Sequence, residues 1–322
     1  MKKIFVLLLS LLLLLAACGP KDGALKNEGD ELRIGIVQLI EHPALDDARE
    51  GFIARLKELG INAKVDYQNA QGDIPTARTI SEKFVSDKVD LIYAIATPAA
   101  QAAKATTDDL PILFSAVTNA VEADLVETNE KPGSNVTGTS DAANLDEEFK
   151  ALKAMDASIK KIGVIYSADE VNSITQVRDL EEKAKEYSFE IVAKSINQIS
   201  DLPQIAQAVI NEVDAFYVVT DNKISASISI LADLLKENKK ISISADQAHV
   251  EKGILMAKSL SYKSLGMQTA DMAKMILVDK IAAGDIGVEG SKDLELVINT
   301  ATLNILGLDE EAEILKDARL VK

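Results

Sequence analysis

The side chains best suited to chemistry in this sequence stand where apolar, β-rich runs end. QLIEHP (38–43) closes one run and contains His42 and Pro43. Thr97-Pro98 close a second, and SAVTN (115–119), beginning with Ser115, closes a third. Ser140-Asp141 end the stretch GSNVTGTSD (133–141). Further on come YSADEVNS (166–173), with Tyr166, Asn172 and Ser173, then Thr220-Asp221-Asn222, then Asp246-Gln247. These are hydroxyls, amides and carboxylates, the groups that hold a small polar molecule. In open parallel sheets, ligands bind at the carboxyl ends of the strands. Helices that start there add backbone N–H groups and a positive dipole end for an anion. Plainer roles exist beside these. Thr97 can cap its helix with Pro98 at the first helical position, and a lone Asp221 or Asp246 can be a cap or a salt-bridge partner. Tyr166 can be a packing residue at a strand end, and His42 a helix-entry residue.

Other chemistries lack their constellations. The two histidines, His42 and His249, have no HExxH spacing and no cysteine partners, so no zinc site is expected. There is no GxSxG nucleophile elbow. GSNVTGTS has glycines but no Lys-Ser or Lys-Thr after them, and no GxGxxG follows the first strand. No group stands out as nucleophile or general base. The sequence therefore points to binding without catalysis, and to no cofactor.

Strands and helices alternate along the body and must position these ends. RIGIVQL (33–39), AKVDYQNA (63–70), VDLIYAIA (89–96) and PILFSAV (111–117) read as strands. Helices are expected at 44–59, stopped by Gly60, at 75–86 and at 99–106. Short links between them mean βαβ units and a parallel sheet covered on both faces. Then the pattern restarts: KIGVIYS (161–167) echoes RIGIVQL, and VDAFYVVTD (213–221) echoes VDLIYAIAT (89–97). Two markers in the same order indicate two similar Rossmann-like α/β lobes with parallel sheets. KISISAD (240–246), GILMAKSL (253–260) and LELVINT (294–300) read as further strands, and 264–283 as a helix.

The first lobe is expected to span 32–139 and the second to start at 140; the further crossings, which would add about 263–284 to the first and leave 140–262 plus about 285–322 to the second, are expected only by analogy. The chain has 322 residues, 47% hydrophobic and 27% charged, enough for two cores. Its net charge of −16 argues against nucleic acid, which needs a basic face. Met1-Lys2-Lys3 followed by the apolar run from Ile4 to Leu15 is too short for a membrane span, which takes about 20 residues. It has the form of a signal peptide, 1–17. LAACG (15–19) places the chain's only cysteine, Cys18, where a bacterial lipobox is lipidated. Residues 18–31 then read as a flexible tether. With no second cysteine there is no disulfide, and the body stands on core packing.

Several stretches together carry a resemblance: GIVQLIEHPALDDAREGF (35–52), NAQGD (69–73), AIATPAAQAA (94–103), ILFSAVTNAVEADLV (112–126), GSNVTGTSD, IGVIYSADEVNS (162–173), YVVTDNKISAS (217–227) and INTATLNILGL (298–308). They resemble the tryptophan/tyrosine-type substrate-binding lipoproteins of ABC importers. The resemblance implies a type I periplasmic-binding fold, two lobes joined by a hinge that closes on a free amino acid, with aromatic amino acids among the family's ligands. Carried over by motif, His42 and Pro43 would line the side-chain pocket, and Thr97, Pro98 and Ser115 would hold the ligand from the first lobe. Ser140 and Asp141 would stand at the crossover. Tyr166, Asn172 and Ser173 would close from the second lobe. Asp221, Asn222 and Asp246 would surround the ammonium group, with Gln247 beside Asp246 among the substrate-binding residues. The implied partners are an ABC permease and ATPase, and the membrane through lipid on Cys18, on the outer face of the cell membrane. The sequence departs from the family at VTNA (117–120), SADQ (244–247) and LSYKSLG (260–266). The same fold could instead bind a branched-chain amino acid, a sugar or a nucleoside, or serve as a surface receptor or adhesin.

Overall fold

The structure is a computed structural model and describes residues 31–290, 294–309 and 313–322. The expected signal segment, Cys18 and the tether up to residue 30 lie outside the described residues.

The first half builds β1 (Leu32–Gln38), α1 (Pro43–Glu58), β2 (Ala63–Asn69), α2 (Ile74–Ser86), β3 (Leu91–Ile95), α3 (Thr97–Lys104), β4 (Ile112–Val117) and β5 (Val136–Ser140). Next come α4 (Leu145–Met155), β6 (Lys161–Ser167), α5 (Val171–Ala184), β7 (Glu190–Ile196), α6 (Leu202–Ile210), β8 (Ala215–Val218), α7 (Asn222–Ala226), α8 (Ile228–Glu237), β9 (Ile241–Ser244) and β10 (Met256–Ser259). The chain ends with α9 (Tyr262–Leu277), β11 (Glu289–Gly290), β12 (Glu295–Asn299), α10 (Thr300–Leu306) and β13 (Arg319–Val321).

Two sheets result. The first runs β11-β5-β4-β3-β1-β2, and every pairing in it is parallel. The second runs β13-β12-β10-β9-β8-β6-β7, parallel except between β10 and β12. Five strands of each sheet share one order, so the restart seen in the sequence is a repeat of topology. The order reverses beside β1 and beside β6, and those reversals open the crevices where ligands enter such sheets.

The local causes are plain. β3 is apolar and buried along its whole length, as a strand covered on both faces must be. α2 starts at Asp73, whose carboxylate accepts the Thr76 N–H at 2.9 Å. α3 starts at Thr97, two residues before the expected helix, because Pro98 fits a first turn whose N–H needs no partner. α9 starts at Tyr262 behind Ser261, which accepts the Ser264 N–H, and it ends at Leu277, well before residue 283. In the first core Phe52 stacks on Tyr93 with ring centroids 4.1 Å apart. In the second, Phe149 meets Tyr187, Phe189 and Tyr217 edge-on.

The chain passes between the sheets after β5, after β10 and after β11. Sheet pairing carries the first unit to Gly290, since β11 lies beside β5. α9 returns from the second sheet to pack on α1. The approach is so close that a Cβ on Gly266 would stand 1.9 Å from the Ala48 carbonyl oxygen, and one on Gly51 2.1 Å from that of Lys263.

Candidate functional site

A buried cleft lies between the two sheets. It is lined by His42, Leu45, Ala116, Thr118, Asp141 and Tyr262, and by Asn172, Thr220, Asp221, Asn222, Ser225 and Asp246. The space they leave is about 20 Å³, room for about one water. The lobes are thus shut.

Each side chain arrives from a strand end or helix start. His42 sits between β1 and α1 in an extended conformation, with Pro43 as the first residue of α1. Its Nε2 makes a long hydrogen bond, 3.4 Å, to Asn222 Oδ1 across the cleft. The Asn222 amide nitrogen is spent on Glu170, 2.5 Å away, so Oδ1 accepts and His42 Nε2 carries the proton. Burial pulls the His42 pKa down to about 4, so the ring is neutral, and Nδ1 is buried without a partner.

Asp141 follows β5 and accepts from Tyr262 Oη at 2.8 Å and Thr118 Oγ1 at 3.1 Å. Asp246 caps the short helical turn that follows β9, accepting from the Ala248 N–H at 2.8 Å. Burial lifts the pKa of each to about 6, against hydrogen bonds that lower it, and for Asp141 the charge of Asp246 adds to the rise. Asp221 is different. Ser167 N–H, Ser167 Oγ, Ser173 Oγ and the Ile224 N–H all donate to it, at 2.5, 2.8, 2.8 and 3.0 Å. Its lone pairs are spent on holding α7 and α5 to the end of β6. Glu170, buried beside it, accepts from Asn172 and Asn222; burial first, then the Asp221 charge, raise its pKa. Asn172 donates to the Thr220 carbonyl at 2.9 Å and leaves its buried Oδ1 without a partner.

His249 lies behind the cleft. Its Nε2 is 2.9 Å from Ser225 Oγ and 3.3 Å from an Asp246 oxygen, and its Nδ1 is 2.8 Å from Ser244 Oγ. Ser225 and Asp246 meet the same nitrogen, so the ring does not link a hydroxyl to an acid across its two nitrogens, as a nucleophile–base–acid triad does. Burial also lowers the imidazole pKa to about 3. The ring therefore serves to hold Ser225 and Asp246 in place.

Of the residues picked out in the sequence, His42, Asp141, Asn172, Asp221, Asn222 and Asp246 line the cleft. The others do not. Ser115 is tied into the first core by Tyr93 Oη at 2.7 Å, Thr269 Oγ1 at 2.6 Å and Thr139 Oγ1 at 3.2 Å. Ser173 serves Asp221, and Ser140 donates to the Thr118 carbonyl. Tyr166 is half-buried against the second core. Gln247 accepts from Arg319 at 3.3 Å. Thr97 and Pro98 are buried in the first turn of α3, and Thr97 Oγ1 has no partner. The residue before them, Ala96, has φ of 86°, and Ala116, at the matching end of β4, has φ of 56°. Such strain in residues with a side chain costs about 1–3 kcal/mol each and gathers at functional sites. Leu45 and Ser225 carry no signal in the sequence, being an apolar and a hydroxyl residue inside helices.

The lobes also meet at the rim. Thr118 Oγ1 and Thr220 Oγ1 are 3.2 Å apart, and Gln176 donates to both. Arg178 of α5 forks onto Glu122 of the first lobe at 2.7 and 2.9 Å, with Thr175 adding a bond at 3.0 Å. A larger groove, about 590 Å³ of open space near Asn144, Asp146, Asp179 and Lys183, is a surface feature whose lysine is already paired with Asp146 and Glu186. Among the described residues, no group of histidine, cysteine or acidic side chains is placed to hold a metal.

Two α/β lobes of one topology, crossed three times and shut on a polar cleft, define a solute-binding architecture. The chain matches the family described as ABC transporter substrate binding protein over residues 33–322, and it belongs to that family. It is 42% identical over 323 residues to a tyrosine-binding protein of Clostridioides difficile (strain R20291), covering 96% of this chain and 93% of that one. It is similar to an ABC domain from Streptococcus pneumonia solved in complex with L-Trp, with TM-score 0.87, 30% identity, and 90% and 100% of the two chains covered. It is also similar to the ligand-free, open structure of a substrate binding protein with adhesive properties from Clostridium difficile, with TM-score 0.71, 41% identity, and 90% and 99% covered. A leucine-binding protein from Thermotoga maritima, at 13% identity and TM-score 0.59 over 79% of this chain and 85% of that one, shares the fold alone. The fold is the two-lobed type I periplasmic-binding fold.

Proposed function

We propose that this protein captures a free aromatic amino acid, tyrosine or tryptophan, between its lobes and delivers it to an ABC importer. The observation that carries the reading is the pair of buried carboxylates, Asp141 and Asp246, set with neutral His42 around a closed cleft. An ammonium group needs a fixed carboxylate, since burying it unpaired costs several kcal/mol. Leu45, His42 and Tyr262, which line the cleft, offer walls for its ring.

The relatives support this reading, one being a tyrosine-binding protein and another holding L-Trp. The lobe arrangement agrees as well. This chain superimposes better on the L-Trp complex than on the open, ligand-free relative, although its sequence is nearer the latter. A ligand enters with the lobes apart and takes the place of the His42–Asn222 contact as they close. Cys18, lipidated after removal of residues 1–17, would hold the body at the outer face of the cell membrane beside its permease and ATPase. Adhesion is a second reading, favoured by the adhesive properties of the relative at 41% identity.

The test is a thermal-melt screen of refolded protein against the twenty amino acids, sugars and nucleosides. A ligand at 100 times its Kd adds roughly 2.7 kcal/mol of stability. Shifts confined to tyrosine, tryptophan or phenylalanine are the expected result. A shift with a sugar or nucleoside, or with none, sinks the assignment.

A further inference from the structure

The cleft is unbalanced in charge and in hydrogen-bonding capacity. Asp141 and Asp246 border it, and no lysine or arginine does. Asp221 adds nothing for a ligand, because four donors already saturate it. Two further acceptors, His42 Nδ1 and Asn172 Oδ1, are buried on lining residues without a partner. The donors around them are largely spent. Thr118 and Tyr262 give their hydroxyl protons to Asp141. The backbone N–H groups of Thr220, Asn222 and Ile224 go to Gln176, Glu170 and Asp221.

An ammonium group brings three N–H donors and a positive charge to such a lining. A carboxylate brings a negative charge into a buried space that already holds two, with no cation bordering the cleft to receive it. Thr97 Oγ1, buried without a partner but outside the lining, is neutral and brings no charge to offset it.

We propose that the primary ammonium group is the main anchor in this cleft, and that the protein also binds arylalkylamines, the decarboxylated counterparts of aromatic amino acids. Losing the carboxylate forfeits hydrogen bonds to neutral groups and relieves repulsion from Asp141 and Asp246. The two effects offset each other, so amine and amino acid bind with similar strength. The aromatic body rests on the function proposed above; the ammonium anchor rests on the lining atoms alone.

The protein contains no tryptophan, so indole fluorescence excited beyond the tyrosine band reports the ligand only. Anisotropy titrations with tryptophan, tryptamine and indole-3-propionate, and calorimetry with tyrosine and tyramine, give the comparison. We expect each amine within about tenfold of its amino acid, and indole-3-propionate at least about a hundredfold weaker than tryptamine. Amines more than about tenfold weaker than bound amino acids overturn the inference and leave the proposed function standing. Amines that bind where tyrosine and tryptophan do not leave the inference and remove the function. No binding by any of them overturns both. Asp246→Asn, checked for folding by its melt, should weaken tryptamine at least as much as tryptophan; an unchanged tryptamine Kd counts against the anchor.

Discussion

Tyr262 donates its hydroxyl to Asp141 across 2.8 Å, and the two residues stand on different crossings between the lobes. Asp141 follows β5, where the chain first leaves the first sheet, and Tyr262 opens α9, where the chain comes back. Both also line the cleft. The hinge and the binding site therefore share a hydrogen bond.

Tyr262→Phe removes that bond and leaves Asp141 with only Thr118. Its pKa, already lifted to about 6 by burial, then rises further, because a hydrogen bond that favoured the carboxylate is gone. Affinity for an ammonium ligand at neutral pH should drop by about 3- to 10-fold. It should recover as the pH rises and the carboxyl ionises. Calorimetric titrations across a pH series check both; a fall without recovery at high pH would place the tyrosine in ring contact instead.

Asp221 and Asp246 should separate cleanly in mutagenesis. Asp246→Asn should weaken ligand binding by about 10- to 100-fold with little loss of melting temperature. Asp221→Asn leaves two of four donors facing an amide nitrogen, and should cost about 2–4 kcal/mol of stability instead. Paired melts and titrations of the two variants decide it.

Glu148 of α4 is buried, accepts the Tyr217 hydroxyl at 2.5 Å and leaves Oε1 without a partner. Burial raises its pKa from an ordinary 4.5 to about 8. The folded protein thus holds a proton that the unfolded chain has lost above 4.5. The contribution is complete below 4.5 and is lost as the pH rises through about 8. Glu148→Gln keeps the shape and removes this slope. The variant should melt about 2–4 °C higher than the parent at mildly alkaline pH, and no higher in acid. Parallel melting curves across that range would argue for an ionised, solvated Glu148.

The Glu122–Arg178 fork closes the rim, but the arginine side chain is 56% exposed. Such a pair contributes about 0–1 kcal/mol. Arg178→Ala should therefore change ligand affinity less than about fivefold while raising the open population, seen as a larger radius of gyration in solution scattering without ligand.

Gly266→Ala places a methyl group 1.9 Å from the Ala48 carbonyl oxygen. Helix backbones cannot give that much, so α9 must lift from α1 at a cost of about 2–4 kcal/mol. Thermal melts check the loss.

The sheets were legible in the sequence because their strands are apolar on both faces and recur in one order. LIYAI and AFYV are buried throughout. Asp141, Asn172 and Asp246 were legible because strand ends are where an α/β sheet presents its ligand groups. Ser115 was not separable from them. Its hydroxyl is claimed by Thr269, far along the chain on a helix that packs beneath it. Asp221 caps α7, as its place in the sequence allows, but the Ser167 and Ser173 donors that saturate it come from segments whose meeting is a tertiary fact. Leu45 and Ser225 reach the cleft through the rotation of a helix, which composition does not reveal. α4, with its buried Glu148, carries no clear signal, because the strand before it, β5, reads VTGTS, a polar run broken by glycine.

α9 and β11 complete a lobe that begins at Leu32, yet they are made only after most of the second lobe. Until residue 290 has emerged, Ala48 and Gly51 have no helix to cover them and β5 keeps an open edge. A chain cut after Ser259 would hold two half-finished bodies. The lobes are therefore interdependent in assembly, and neither half of the sequence should yield a stable fragment.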